Sequence, residues 1–181
     1  YGCTNLSLVR IKGEGLESIG FDSFRDCSKL ENITLPSSIK ECEGGVFSGC
    51  TNLKTVGPSS GDYNVKLGLT ETIPSGLFNG SNIVEVTLAD TIKTIGMGAF
   101  ADCTLLAKIK LPAALESIDN GTFSSCKNLE NITIPDTVKE IDKGAFAECT
   151  SLTTVTGGNN LERIGSQVFY KCSQLQSITL S

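Results

Sequence analysis

The sequence predicts an α/β repeat fold: a right-handed solenoid of about seven and a half stacked units of 23 residues, with a concave parallel β-sheet and short helical or 3₁₀ turns on the convex side. Three observations carry this. Phenylalanines recur at Phe24, Phe47, Phe78, Phe100, Phe123, Phe146 and Phe169, with steps of 23, 31, 22, 23, 23 and 23 residues. Cysteines recur beside them at Cys3, Cys27, Cys50, Cys103, Cys126, Cys149 and Cys172, with Ser81 or Gly80 where one is missing. Finally, the composition is too thin for a round core, at 39% hydrophobic, 6% aromatic and no Trp. A narrow stacked core needs less filling.

Each element of the unit follows from the shared pattern C-x2-L-x2-I-x-L-P-x2-I-x2-I-x4-F-x2-C. It is read from Cys27 through Leu30, Ile33, Leu35, Pro36, Ile39, Cys42 and Phe47 to Cys50, and again from Cys103 and Cys126. The stretch L-x2-I-x-L alternates at period two and reads as a short strand with one face on a core. Proline ends the pairing, because it lacks the N–H a ladder needs. Gly20, Gly96 and Gly165 suit the sharp bend that follows. The pieces Gly98-Ala-Phe100 and Gly144-Ala-Phe146 read as one helical or 3₁₀ turn that returns the chain. One unit cannot bury its Leu, Ile and Phe alone, so neighbours stack at about 4.8 Å; eight such strands span roughly 35–40 Å. Before the second Ile stand Glu17, Lys40, Thr72, Lys93, Glu116, Lys139 and Glu162, where opposite signs meet across most neighbouring rungs from Lys93 onward. Exposed pairs of this kind stabilise by about 0.5 kcal/mol at best, and oppose slips of a whole repeat.

This pattern resembles the BspA-like, or Treponema-type, leucine-rich repeats. The match rests on Leu30 to Pro36, Leu106 to Pro112 and Leu129 to Pro135 for the strand, and on Ile95 to Cys103 for the return. It covers nearly the whole chain as a single domain, residues 1–181, that reads as a piece of a longer array, since neither end carries a polar capping repeat. The resemblance implies a secreted or cell-surface protein of host-associated bacteria or protozoa, serving adhesion to a host or matrix protein, other recognition, or plain spacing.

Other chemistries find little support. A net charge of -5 opposes nucleic-acid binding, which needs a basic patch. No run of 18 apolar residues is present to span a membrane. There is no His, so the commonest general base and metal ligand are missing. Gly57 to Gly61 spells G-x-S-x-G, the nucleophile-elbow string, but lacks a triad base and a strand–elbow–helix context. No C-x2-C pair suggests zinc. Stacked Cys side chains sit near ~4.8 Å, beyond the usual reach of a disulfide, so all eight read as small buried thiols. No cofactor, metal or catalytic residue is assigned, and the chain reads as a non-enzyme; a glycosidase could use carboxylates alone, but no apolar cleft around an acidic pair is suggested. Sequons at Asn5, Asn32, Asn79 and Asn131 matter only in a eukaryotic secreted protein.

Two places are left for a protein partner. The outward strand positions form two columns, one with Arg10, Thr34, Thr87, Lys110 and Thr133, its neighbour with Glu85, Lys108 and Asn131. They read as a polar recognition strip centred on Lys108 and Lys110, or simply as strand-favouring threonines. The second place is an irregular loop at about 57–68, where some eight extra residues bring Asp62, Tyr63 and Lys66. Insertions in solenoids project from one face and often carry recognition. A further departure, Gly157 to Asn160, replaces the usual Leu-Pro and is expected to bend or loosen the strand's exit. Against the recognition reading stands a spacer that holds another domain away from a membrane or wall.

Overall fold

The computed structural model describes residues 1–11, 13, 15–36, 38–57, 65–66 and 71–180. Its strands, numbered in chain order, form two series. The first lies on what will be called the strand face: β1 (Leu8–Arg10), β3 (Asn32–Thr34), β5 (Thr55–Gly57), β6 (Val65–Lys66), β8 (Glu85–Thr87), β10 (Lys108–Lys110), β12 (Asn131–Ile134), β14 (Thr154–Gly157) and β16 (Ser177–Leu180). The second consists of two-residue strands: β2 (Ser18–Ile19), β4 (Glu41–Cys42), β7 (Thr72–Ile73), β9 (Thr94–Ile95), β11 (Ser117–Ile118), β13 (Glu140–Ile141) and β15 (Arg163–Ile164). All pairing is parallel and in repeat register, as in Ile132 opposite Val155 opposite Ile178. Period-two alternation puts Ile33, Val86, Ile132 and Val155 inward and their neighbours outward.

The return between the two series differs from expectation: it contains no helix or 3₁₀ turn among the described residues. Two backbone facts forbid one. Each return holds two residues with positive φ, one two positions before the Phe and one just before the Cys, such as Gly98 and Asp102 or Gly144 and Glu148. Left-handed residues at both places interrupt any right-handed helix. In addition, alternate N–H groups bond sideways to the next rung. Phe24 donates to Val46, Phe47 to Leu77, Phe78 to Ala99, Phe100 to Thr122, Phe123 to Ala145 and Phe146 to Val168, all at 2.8–3.0 Å. The intervening donors close tight turns, as Cys126 N–H does on Phe123 C=O at 3.2 Å. A third ladder thus stands where a helix was expected.

Inside these three ladders lies one narrow core. The seven phenylalanine rings stack face to face, with centroids 5.4–5.9 Å apart and planes within 15° of parallel. All eight cysteines are free thiols. Five of the repeat column donate to the phenylalanine carbonyl of the preceding rung, Cys50 to Phe24 at 2.9 Å and Cys103 to Phe78, Cys126 to Phe100, Cys149 to Phe123 and Cys172 to Phe146 at 3.1–3.2 Å, whereas Cys3 is exposed rather than buried as expected. Ser81 keeps a hydroxyl in the same column, fully buried and 3.6 Å from the Cys103 sulfur. Burial pushes the Cys42 thiol up to about 11 and those of Cys50, Cys103 and Cys149 to about 12. These thiols therefore stay protonated and unreactive at neutral pH.

The charged column is formed in part. Lys40 meets Glu17 at 2.8 Å and Lys139 meets Glu162 at 3.2 Å, whereas Lys93 turns to Glu71 at 3.7 Å rather than to Glu116. Gly157 and Gly158, with φ of 90° and 64°, do redirect the exit of β14, yet Gly157 still pairs with Ile134 and Leu180. A Cβ on Gly157 would collide with the Ile134 carbonyl oxygen, which is why glycine stands there.

Candidate functional site

The strand face is where exposed side chains stand in ordered columns. Arg10, Thr87, Lys108, Lys110 and Thr133 are exposed and Thr34 is half-buried. Backbone register sets Arg10 opposite Thr34, Thr87 opposite Lys110, and Thr133 opposite Thr156. The Thr133 and Thr156 hydroxyls are 3.3 Å apart, so they bond to each other across the rungs. Within the inserted stretch, Val65 and Lys66 form β6 and pair with Val86 and Thr87. Lys66 therefore takes a place in the same column as Thr87 and Lys110. Asp62 and Tyr63 lie outside the described residues, as does most of the G-x-S-x-G string.

The strand face is not one continuous ladder. Its hydrogen-bonded sheets are β1-β3-β5, β6-β8-β10 and β12-β14-β16. The second break falls between β10 and β12, although β11 pairs with both β9 and β13 behind it and the rings of Phe100 and Phe123 stay 5.5 Å apart. A depression of about 610 Å³ opens at this break, bounded by β8, β10 and the start of β12. Its floor includes Ile109, which is only partly buried, whereas the corresponding Ile33, Val56, Val86, Ile132 and Val155 are all buried.

Electrostatically, the two lysines differ. The Lys110 ammonium lies 3.3 and 3.4 Å from the two Asp90 oxygens, and Asp90 also accepts the Ala113 N–H at 3.3 Å. The hydrogen bond from Lys110, then that from Ala113, holds the Asp90 carboxyl below the usual carboxylate range. Lys108 has no ion-pair partner among the described residues, and Glu85 and Glu130 border the depression on either side of it. Three cations (Arg10, Lys108, Lys110) and one anion (Glu85) stand at exposed described strand positions, on a chain with 15 basic and 20 acidic residues. The exposed described strand positions of this face thus carry more cations than anions, while Asp90 and Glu130 add two carboxylates at the rim of the depression. Among the described residues no group of three or more acidic, His or Cys side chains is placed to hold a metal.

Sequence reasoning found the lysines and their column but missed the depression and Asp90. The accessible signal was the position just before each strand. There Glu31, Lys54, Glu130 and Thr153 are polar, while Val84 and Ala107 are apolar and bonded to each other through Ala107 N–H and Val84 C=O at 2.9 Å.

The profile of the BspA type leucine rich repeat region matches the chain in six copies, over residues 1–65 and 71–181. Three solved structures are similar. A leucine-rich repeat protein from Bacteroides ovatus is 29% identical with a TM-score of 0.75, the alignment covering 99% of this chain and 57% of that one. The leucine rich repeat protein of T. pallidum is 26% identical with a TM-score of 0.73, covering 93% and 77%. A leucine rich cell surface protein from Faecalibacterium prausnitzii is 21% identical with a TM-score of 0.62, covering 99% and 61%, a likeness of fold. The chain thus spans a little over half of the Bacteroides protein. No curated protein matches it. No helix among the described residues is long and apolar enough to cross a membrane.

Proposed function

This chain belongs to the BspA-type leucine-rich-repeat family, and from that premise we propose that it is a non-catalytic recognition module that holds a host or neighbouring protein against its strand face. The observation that carries the reading is the exposure and charge pattern of that face. Ordered columns of exposed Thr, Asn and Lys, with Glu85, Asp90 and Glu130 interspersed among the lysines, suit a specific protein contact of patterned charge. Arg10, Thr34, Thr87, Lys108, Lys110 and Thr133 are the contact residues proposed, together with Asp62, Tyr63 and Lys66 of the inserted stretch. A secreted or surface location is proposed with it; the F. prausnitzii relative bears the name of a cell surface protein.

The test is capture of serum, matrix and cell-surface proteins on the immobilised chain, comparing two triple variants. Thr34→Arg, Lys108→Glu and Thr133→Arg together should cut capture by about tenfold or more, the loss of roughly 1.4 kcal/mol of binding. Lys127→Glu, Lys143→Glu and Ser166→Arg, away from the strand columns, should leave it unchanged. Equal capture by both variants, or none by the parent chain, defeats the reading. The second reading is a spacer, favoured by the unbroken ring stack along the axis, and no capture by the parent would support it.

A further inference from the structure

The recognition reading names a face, not what that face selects. Resting on that reading, we infer that the depression between β8, β10 and β12 takes an extended peptide segment of the partner bearing an apolar side chain next to a carboxylate, the apolar group lying on Ile109 and the carboxylate meeting Lys108.

Four observations converge on this occupant. First, the break after β10 uncovers core: Ile109 is only partly buried, whereas Ile33, Val56, Val86, Ile132 and Val155 at the corresponding positions are buried. Second, the apolar surface continues outward. Leu88 and Ala107 line the depression, and beside them Val84 is 53% exposed and Leu105 40% exposed, where the corresponding positions of other rungs carry Glu31, Lys54, Glu130 and Thr153, or Lys29, Asn52, Asn128 and Ser151. Burial of such a patch is worth about 25 cal/mol per Å² of apolar area, which supplies an anchor but no sign of charge.

Third, the charges fix one place for a carboxylate, since three acids (Glu85, Asp90, Glu130) and two lysines (Lys108, Lys110) line the depression and only one lysine among them lacks an ion pair. Lys110 is already satisfied by Asp90, which leaves Lys108 as the unpaired cation over the opening. Glu85 and Glu130 border it on neighbouring rungs and repel a second acid on that side. They therefore orient the guest, whose carboxylate must lie toward Lys108 and Lys110 and whose apolar group must lie toward Ala107. Fourth, no aromatic ring lines the depression, so it lacks the flat platform on which the C–H face of a sugar ring packs. An apolar floor beside a single free ammonium suits a peptide better than an acidic polysaccharide.

The experiment is a selection of displayed random ten-residue peptides on the immobilised chain. Its consensus peptide is then measured by fluorescence polarisation against the parent, Lys108→Glu and Ala107→Glu, with heparin as a polysaccharide arm. The expected consensus has Leu, Ile or Phe adjacent to Asp or Glu. Each variant should weaken it by about tenfold or more, and exchange of its acid for Lys should restore binding to Lys108→Glu. Both changes are at exposed or half-exposed positions, and an unchanged unfolding midpoint confirms that the fold is intact. A consensus without acids, or affinity that both variants leave unchanged, overturns the inference. So does heparin binding that is lost in Lys108→Glu while no peptide is recovered. Peptides insensitive to these changes but weakened by Thr133→Arg would overturn this site and leave the strand-face reading standing. Recovery of no peptide together with no protein capture by the parent chain defeats both.

Discussion

The two sides of this solenoid obey different rules. On the return side every rung is alike: the rings stack at 5.4–5.9 Å from Phe24 to Phe169, and the backbone ladder runs through each of them. On the strand side the ladder of the described residues breaks twice, between β5 and β6 and between β10 and β12. The 31-residue step shows the division most plainly. It adds a strand to one side, yet Phe47 and Phe78 remain 5.5 Å apart on the other. The difference teaches that register is set where side chains interlock in the core, and that the exposed ladder is free to carry insertions and openings.

The largest test of this division is alkaline pH, which acts only on the return side. Burial raises the folded-state thiols to about 11 or 12 from an ordinary value of 9.0, so the unfolded chain loses these protons first as pH rises. Their contribution to stability is therefore complete below about pH 9 and is lost between there and pH 12, at up to ~1.4 kcal/mol per thiol per pH unit. Urea midpoints should fall steeply above pH 9, and replacement of Cys103, Cys126 and Cys149 by Ser, the residue already accepted at Ser81, should flatten the slope. A midpoint unchanged to pH 11 would count against the buried thiol ladder.

Next in size is a single ring. Phe123 is fully buried between two others, and Phe123→Ala should cost about 3–5 kcal/mol by chemical denaturation. Thr133→Ala on the strand face should cost under about 0.5 kcal/mol. Comparable losses at the two positions would erase the distinction between the sides. The smallest effect is conformational. Gly144 has φ of 62° and space for a Cβ, which would touch only the Ala147 methyl at 3.8 Å. Gly144→Ala should therefore cost about 1 kcal/mol through backbone strain alone, read as a drop of a few degrees in Tm, and Gly144→Asn less. A gain in Tm for the alanine variant would show that the left-handed return is not required.

Much of the fold was legible because its determinants repeat. Columns of Phe, Cys, Leu and Ile identify the rungs, the strands and their register directly. The return was misread as helical because Gly-Ala-Phe looks helix-compatible one rung at a time. Aligned across rungs, the residue before each Cys of the column, or before Ser81, is Gly2, Asp26, Gly49, Gly80, Asp102, Ser125, Glu148 or Lys171, and only backbone geometry reveals that all eight are left-handed. The place of Lys66 was hidden for another reason: a two-residue strand acquires its pairing from β8 and not from its own sequence. The break after β10 has no mark within the strand itself, since Lys108 to Pro112 spells the same pattern as Asn131 to Pro135, and only the apolar Val84 and Ala107 just before the strands set the place apart. Of the proposed site, then, the lysines were readable and the opening beneath them was not.

The ladder of returns also has a mechanical consequence. Its hydrogen bonds, like those of the strands, lie along the direction in which rungs stack, so a pull on the two ends loads them rung by rung rather than all together. Stretching the chain should release one rung at a time, each lengthening it by roughly 75–80 Å for 23 residues at full extension. The rung between Phe47 and Phe78 should give one longer step, roughly 100–110 Å for its 31 residues. A force–extension trace would therefore carry the irregular rung as a single oversized tooth, and its place in the sequence of teeth would show from which end the molecule comes apart.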